Sequence, residues 1–199
     1  RKSRIISPRE KEITAYHEAG HALAARHLTH SDPVHKISIV SRGMMGGYTR
    51  LLPTEDRYLW TRSQFQDMLV HMLGGRVAEE LVFGEITTGA ENDIEKATKI
   101  ARQMVTRYGM SEKMGPMTLG KREELIFLGR DISEQRNYSE KVAEEIDLEV
   151  RQMIEDARQR AWDILSTHRS KLDQIALRLI ETEVLEGGEL ERLFEAPVE

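Results

Sequence analysis

Apolar residues recur at helical spacing along most of the chain, and a capping residue precedes most of these runs. Ser7-Pro8-Arg9-Glu10 combines a capping serine, a proline suited to the first helical position and a glutamate at capping-box spacing. The run that follows continues to about Leu28. The longest run, after Ser139, covers about 28 residues, or ~42 Å at ~1.5 Å per residue. Six helices are predicted in this way, starting after Ser7, Thr61, Thr88, Ser139, Ser170 and Gly187-Gly188.

One segment alternates apolar and polar residues with the period of a strand instead. It runs from His35 to Ser41, and glycines and then Tyr48 to Leu52 follow it, which predicts a small hairpin or a glycine loop. The fold class expected is therefore mainly α, with a small β-hairpin or edge strand. We predict a core over residues 1–137 and a C-terminal helical part over 138–199 packed on it, within one domain overall.

Composition excludes several classes of function. The 199 residues carry a net charge of -5, with acids and bases interspersed, so no basic surface for nucleic acid is expected. The chain has no cysteine, so any metal must be held by His, Asp or Glu. No apolar run approaches the ~20 residues of a membrane span, and we expect this segment itself to be soluble. Because it begins at Arg1 rather than Met, we also expect it to be a piece of a longer protein.

The sequence His17-Glu18-Ala19-Gly20-His21 is an H-E-x-x-H motif inside the first predicted helix. Residues four apart lie one turn along a helix, so both imidazoles can bind one zinc ion at ~2.0–2.1 Å. Glu18 can then act on a water bound to that ion, as a general base that later protonates the leaving amine. The motif predicts a zinc endopeptidase, and the alternative is a chance match on an ordinary amphipathic helix.

A catalytic zinc ion needs a third protein ligand and an open fourth position. His27 stands six residues after His21, but the motif that uses such a histidine has a glycine where this chain has Ala24. We therefore expect His27 at the surface. A distant carboxylate is the better candidate for the third ligand. The residues alone do not decide between Glu79 and Asp93.

Three segments together resemble the FtsH family of membrane-anchored, ATP-dependent zinc metalloproteases of the AAA class. They are His17 to Leu23, Gly74 to Glu80 and Thr88 to Asp93, and the resemblance extends over nearly the whole chain. It implies one Zn²⁺ per chain, Asp93 as the third ligand and Glu79 as a residue that orients a ligand histidine. Glu80 is expected to be an ordinary acid on the helix surface.

The resemblance also implies partners that this chain does not contain. The chain has no G-x-x-x-x-G-K-[ST] motif, so ATP is expected to be used by an AAA motor domain preceding Arg1. The implied assembly is a homo-hexamer that hydrolyses unfolded membrane and cytosolic polypeptides. Its implied location is the bacterial cytoplasmic membrane, with the catalytic domain on the cytoplasmic side, or an organellar membrane. An inactive scaffold is the competing class, although His17, Glu18, His21 and Asp93 are all present.

The predicted strand is a candidate for substrate docking. An exposed edge can add an extended peptide as a further strand, and main-chain hydrogen bonds of this kind tolerate many sequences. A purely structural hairpin is the alternative. The candidate substrate-binding residues are Ile37, Ser38, Ile39, Val40 and Ser41.

Overall fold

The computed structural model describes residues 6–41, 46–122 and 134–198. Helices dominate these residues, which confirms the expected mainly α fold class. The helices are α1 Pro8–Arg26, α2 Arg62–Phe83, α3 Glu91–Thr106, α4 Glu140–Thr167, α5 Arg169–Thr182 and α6 Gly187–Glu195. The strands are β1 Val34–Ser38, β2 Tyr48–Leu51, β3 Lys121–Arg122, β4 Glu134–Gln135 and β5 Val184–Glu186.

Local capping signals determine where three helices begin, as predicted. The backbone N–H of Glu10 donates to Ser7 Oγ at 3.1 Å, and the Glu10 carboxylate accepts from the Ser7 N–H at 3.3 Å. The same reciprocal pair joins Thr61 and Gln64 at the start of α2. Ser139 caps α4, which is 28 residues long. Each cap satisfies N–H groups that have no partner within the first turn of the helix.

The helix predicted to start after Thr88 begins at Glu91, and Thr88 does not cap it. A single 3₁₀ turn, Thr88–Ala90, precedes α3, and the residue that caps it is Thr87, whose hydroxyl accepts from the Gly89 N–H at 3.1 Å. Ala90, at the N-cap of α3, contributes no side-chain cap. Because the 3₁₀ turn comes before α3, the first unpaired N–H groups belong to that turn. The side chain that caps them is therefore that of Thr87, one residue before the predicted Thr88.

The three-stranded sheet has the order β2-β1-β5, and both of its pairings are antiparallel. Ile37 lies opposite Thr49 on one side and opposite Leu185 on the other, so β1 is the central strand. The Ile39 N–H, just beyond β1, donates to the carbonyl of Glu183 at 2.9 Å.

The prediction that Ile37, Ser38 and Ile39 form an exposed edge is therefore wrong. The pairing partner β5 lies near the other end of the sequence, and no local pattern around β1 signals it. Val40 and Ser41 follow β1, and the Val40 N–H donates to Ser38 Oγ at 3.2 Å. The substrate-binding role of these five residues stays a prediction. Residues 43–45 of the predicted glycine loop lie outside the described residues.

One hydrophobic cluster joins the two parts that the sequence analysis separated at residues 137 and 138. It includes Leu23 of α1, Leu69 of α2, Leu165 of α4, Leu172 of α5 and Leu185 of β5. The C-terminal helices therefore complete the core that surrounds α1 and α2, and a boundary at this point stays a prediction. No helix in the described part of the chain combines the length and the apolar character needed to cross a membrane.

Candidate metal centre

Three ligand atoms from two helices converge at one point. His17 Nε2 and His21 Nε2, one turn apart on α1, are 3.0 Å from each other. Asp93 Oδ2, in the first turn of α3, is 3.1 Å from each of them. The structure thus brings together the two histidines of the H-E-x-x-H motif and Asp93. Asp93 is one of the two carboxylates between which the sequence did not decide.

The hydrogen bonds on the far side of each ring fix its tautomer. His21 Nδ1 is 2.7 Å from the carbonyl oxygen of His71, which can only accept, so Nδ1 carries the proton. His17 Nδ1 donates in the same way to Glu79 Oε2 at 2.8 Å. In their neutral forms, both imidazoles consequently present the Nε2 lone pair to the space that they share with the Asp93 carboxylate.

This donor set fits a divalent metal ion. Three acceptor atoms that face one another at 3.0–3.1 Å repel unless a cation lies between them. Ligands at ~2.0 Å from a tetrahedral zinc ion are about 3.3 Å apart, close to these separations. His17 and His21 are buried, whereas the Asp93 side chain is 27% exposed, so the site opens to solvent on the Asp93 side.

The electrostatics of the site favour positive charge. Burial alone lowers the pKa of His17, but hydrogen bonds to Asp93 and Glu79 outweigh it and raise the pKa of His17 to about 10. Burial raises the pKa of the Asp93 carboxyl, but His17 and His21 outweigh that and hold it far below its usual range. The groups that hold a proton between nitrogen and carboxylate are the same ones that could hold a metal cation, which would displace that proton.

Glu79, the other candidate ligand, lies behind His17 rather than at the convergence point. Its side chain is fully buried, with one oxygen accepting from His17 Nδ1–H and the other from the Thr87 hydroxyl at 2.5 Å. Carboxylates in this position fix the orientation of a ligand imidazole and raise its basicity. The geometry therefore places Asp93, and not Glu79, at the point where the two imidazoles converge.

Glu18 is held by a residue that the sequence analysis did not single out. The hydroxyl of Thr49, on β2, is 2.7 Å from Glu18 Oε2 and 3.0 Å from the Glu18 carbonyl oxygen. Gly47 lies so close that a Cβ there would be 3.3 Å from Glu18 Cγ. The hairpin thus covers Glu18, which is 6% exposed, and only the pairing of β2 with β1 reveals this.

Three glycines allow α1 and α2 to approach closely enough to form the site. A Cβ on Gly74 would lie 2.8 Å from the carbonyl oxygen of Gly20, and one on Gly20 would lie 2.6 Å from Ala78 Cβ. A Cβ on Gly75 would lie 2.5 Å from His17 Nε2 and 2.6 Å from His21 Nε2. The space that a side chain would fill at Gly75 is needed by the two imidazoles.

Of the other residues considered, His27 and Glu80 lie away from the convergence point, and His71 lies beside it. His27 stacks on His168 with ring centroids 3.8 Å apart, which agrees with its expected exclusion from the site. His71 donates from Nδ1 to the His21 carbonyl at 2.9 Å and so packs beside His21. Glu80 is half-buried and pairs with Arg158 of α4 at 2.8 Å, so it is not a simple surface acid.

Comparison with known proteins places the chain in a family. Residues 4–193 match peptidase family M41. The ATP-dependent zinc metalloprotease FtsH 1 of Sphaerobacter thermophilus is 63% identical over 99% of this chain, and the protein of the same name from Thermomicrobium roseum is 62% identical over 99%. A third, from a Thermoanaerobacter species, is 54% identical over 98% of the chain.

The chain spans 30% to 32% of the length of these relatives. The family match covers nearly all of the chain and confirms the expected class of enzyme, a peptidase. It also agrees with the metal-binding geometry described above. The chain therefore belongs to peptidase family M41, among the FtsH proteases that its sequence resembles.

Proposed function

We propose that this chain is a zinc-dependent endopeptidase domain in which His17, His21 and Asp93 hold the metal. The observation that carries the proposal is the triangle of two Nε2 atoms and one carboxylate oxygen at 3.0–3.1 Å. The relatives are named zinc metalloproteases, which supports zinc over other divalent ions. One zinc ion per chain fits this single cluster of three candidate ligands in the described residues.

The reaction proposed for the site is hydrolysis of a peptide bond. A bound zinc ion supplies Lewis-acid polarisation of the scissile carbonyl and lowers the pKa of a water molecule toward ~7. Glu18 takes the proton of the attacking water and delivers it to the leaving amine. Glu79 accepts a hydrogen bond from His17 Nδ1–H and so would keep the Nε2 lone pair directed at the metal. The Thr49 hydroxyl holds the Glu18 carboxylate beside the reacting groups.

Substrate docking is proposed for β2 rather than for β1. In the described part of the chain β2 pairs with β1 alone, so its other edge is available to an extended peptide. Thr49 of β2 contacts Glu18, so a peptide along this edge would pass the proposed general base. Of the five candidate residues of the sequence analysis, Ile37 and Ser38 would support this edge from the neighbouring strand.

The whole protein is proposed to be an ATP-dependent protease of unfolded polypeptides. The names of the relatives support this, since this chain covers about a third of their length and the rest has room for an AAA motor domain. A homo-hexamer at the bacterial cytoplasmic membrane, with this domain on the cytoplasmic side, completes the proposal. We expect the isolated chain to cleave an unfolded casein but to leave a stably folded protein intact, as assayed by gel electrophoresis without ATP.

The experiment that tests the site is elemental analysis of zinc, with peptide cleavage assayed on the same samples. We expect about one zinc per chain in the wild type and loss of both metal and activity in Asp93→Ala. Glu18→Gln should keep its zinc and lose at least about 100-fold in kcat, because it removes the base and leaves the ligands. Glu95→Ala, which removes an exposed acid of α3, is the matched control and should resemble the wild type.

Three outcomes would contradict the proposal. Zinc and activity that survive in Asp93→Ala would exclude this carboxylate as a ligand and make Glu79 the next candidate. Full activity in Glu18→Gln would exclude it as the general base. An inactive scaffold would show zinc but no cleavage in the wild type.

A further inference from the structure

The hydroxyl of Thr87 connects two parts of the metal centre. It donates to Glu79 Oε1 at 2.5 Å, and it accepts from the Gly89 backbone N–H at 3.1 Å. A hydroxyl carries one proton, and the carboxylate can only accept, so the direction of both bonds is fixed. Thr87 therefore contacts Glu79 on one side and the turn that leads into α3 on the other.

The first of these bonds satisfies a buried carboxylate. Glu79 is 1% exposed, and within the described residues its two oxygens have one partner each, His17 Nδ1 and the Thr87 hydroxyl. A buried carboxylate oxygen that loses its hydrogen-bond donor has nothing to replace its lost hydration. Without the Thr87 hydroxyl, the Glu79 carboxylate is therefore free to rotate, and it orients the His17 imidazole less well.

The second bond, from the Gly89 N–H to the Thr87 hydroxyl, affects the position of the other proposed ligand, Asp93. The turn Thr88–Ala90 runs directly into α3, and Asp93 lies in the first turn of that helix. The cap that Thr87 provides therefore fixes the start of the element that carries Asp93. One side chain thus supports both a histidine ligand, through Glu79, and the carboxylate ligand, through the backbone.

We propose that Thr87 is a positioning residue that sets the affinity of the site for zinc, acting through Glu79 and through the turn before α3. This inference rests on the proposed function, because it takes His17, His21 and Asp93 as the ligands. Among the described residues, the hydrogen bonds of the Thr87 side chain join it to Glu79 and to the Gly89 N–H, and none joins it to a candidate ligand or to Glu18. Nothing in the local sequence distinguishes it from its neighbour Thr88.

The test is a measurement of the zinc dissociation constant by competition with a chromophoric chelator. Thr87→Val keeps the shape of the side chain and removes the hydroxyl, and we expect it to weaken zinc binding by roughly 10- to 100-fold. Thr87→Ser keeps the hydroxyl and should bind zinc within about threefold of the wild type. Thr88→Val makes the same change one residue along, in the same turn, and should leave the constant unchanged.

A spectroscopic readout separates positioning from a general loss of stability. The His17 Nδ1 proton, hydrogen-bonded to Glu79, should give an imidazole resonance in the zinc-loaded protein that moves in Thr87→Val and stays in place in Thr88→Val. Zinc affinity unchanged in Thr87→Val, or weakened equally in both variants, would overturn the inference. A wild type that binds no zinc would instead overturn the proposed function, so the two failures are distinguishable.

Discussion

At the scale of single residues, hydroxyl groups hold the carboxylates of the site. Glu18 and Glu79 are both almost fully buried, and each accepts a hydrogen bond from one threonine, Thr49 and Thr87 respectively. A buried carboxylate without such a donor is costly, because water no longer solvates it. The orientation of these acids is therefore set by residues that carry no chemistry of their own.

Thr49→Val should lower the rate of peptide cleavage without removing the metal. A hydrogen bond to an ionised group contributes about 1.5–3 kcal/mol, so we expect kcat to fall by roughly 10- to 100-fold, with KM and zinc content close to the wild type. Thr49→Ser, which keeps the hydroxyl, should recover most of the rate. Steady-state kinetics on a fluorogenic peptide measure this, and a change confined to KM would show that Thr49 serves substrate binding instead.

His27 should make the fold less stable at mildly acidic pH. Burial, together with the neighbouring His168 and Arg26, lowers the pKa of His27 below its ordinary value. The unfolded state then binds more protons than the folded state, so stability is complete above pH ~6.5 and is lost as the pH falls through the folded-state pKa.

The check for His27 is urea unfolding at pH 7.5 and 5.5. The free energy of unfolding of the wild type should fall between these pH values by more than that of His27→Asn, because asparagine does not titrate. Effects of acid on the rest of the protein are common to both proteins and cancel in the comparison. Identical pH dependence in the two proteins would show that folding does not lower the pKa of His27.

At the scale of secondary-structure elements, the crossing of α1 over α2 places the histidines. Gly20 and Gly74 bring the two backbones together, and Gly75 leaves room for both imidazoles. Glycine inside a helix costs about 1 kcal/mol relative to alanine. The fold accepts that cost at three helical positions because no larger residue permits the approach.

Gly20→Ala should destabilise the protein although alanine is the better helix former. A Cβ at this position would lie 2.6 Å from Ala78 Cβ, which forces the two helices apart. Overpacking of this kind costs about 1–3 kcal/mol, which thermal and urea unfolding can measure. Gly46→Ala is the control, since a Cβ there has no heavy atom of the described residues within 4 Å, and its stability should match the wild type.

The sequence predicted the elements whose signals are local. Ser7, Thr61 and Ser139 lie beside the helices that they cap, and His17, Glu18 and His21 form a motif within a single turn. The choice between Glu79 and Asp93 required the packing of three helices, which no spacing encodes. Thr49 and Thr87 act through single hydrogen bonds made by tertiary packing, so their sequence context contains no signal for them.

At the scale of the whole molecule, the C-terminal region belongs to the same core as the metal site. Leu185 of β5 and Leu190 of α6 are buried in the hydrophobic cluster that includes Leu23 beside the site. Lys171 of α5 donates to the carbonyl oxygens of Leu193 and Ala196 and so holds the end of α6 in place. We therefore expect both regions to unfold together.

Leu190→Ala should lower the free energy of unfolding of the entire chain. Truncation of a fully buried leucine costs about 2–5 kcal/mol, from lost burial and from the cavity that remains. Leu177→Ala removes a leucine that is 56% exposed and should have a small effect. Urea unfolding followed by circular dichroism measures both variants. Two separate transitions in the wild type would favour two units divided near residue 137.

The position of β5 also has a consequence for synthesis on the ribosome. The strand β1 emerges early, directly after the helix that carries the H-E-x-x-H motif, but its partner residues Val184 to Glu186 emerge only when most of the chain has been made. Contacts between residues so far apart in sequence form slowly. A nascent chain thus presents the ligand histidines before the sheet beside them can close. We therefore expect proteolytic competence to follow only after β5 has left the exit tunnel.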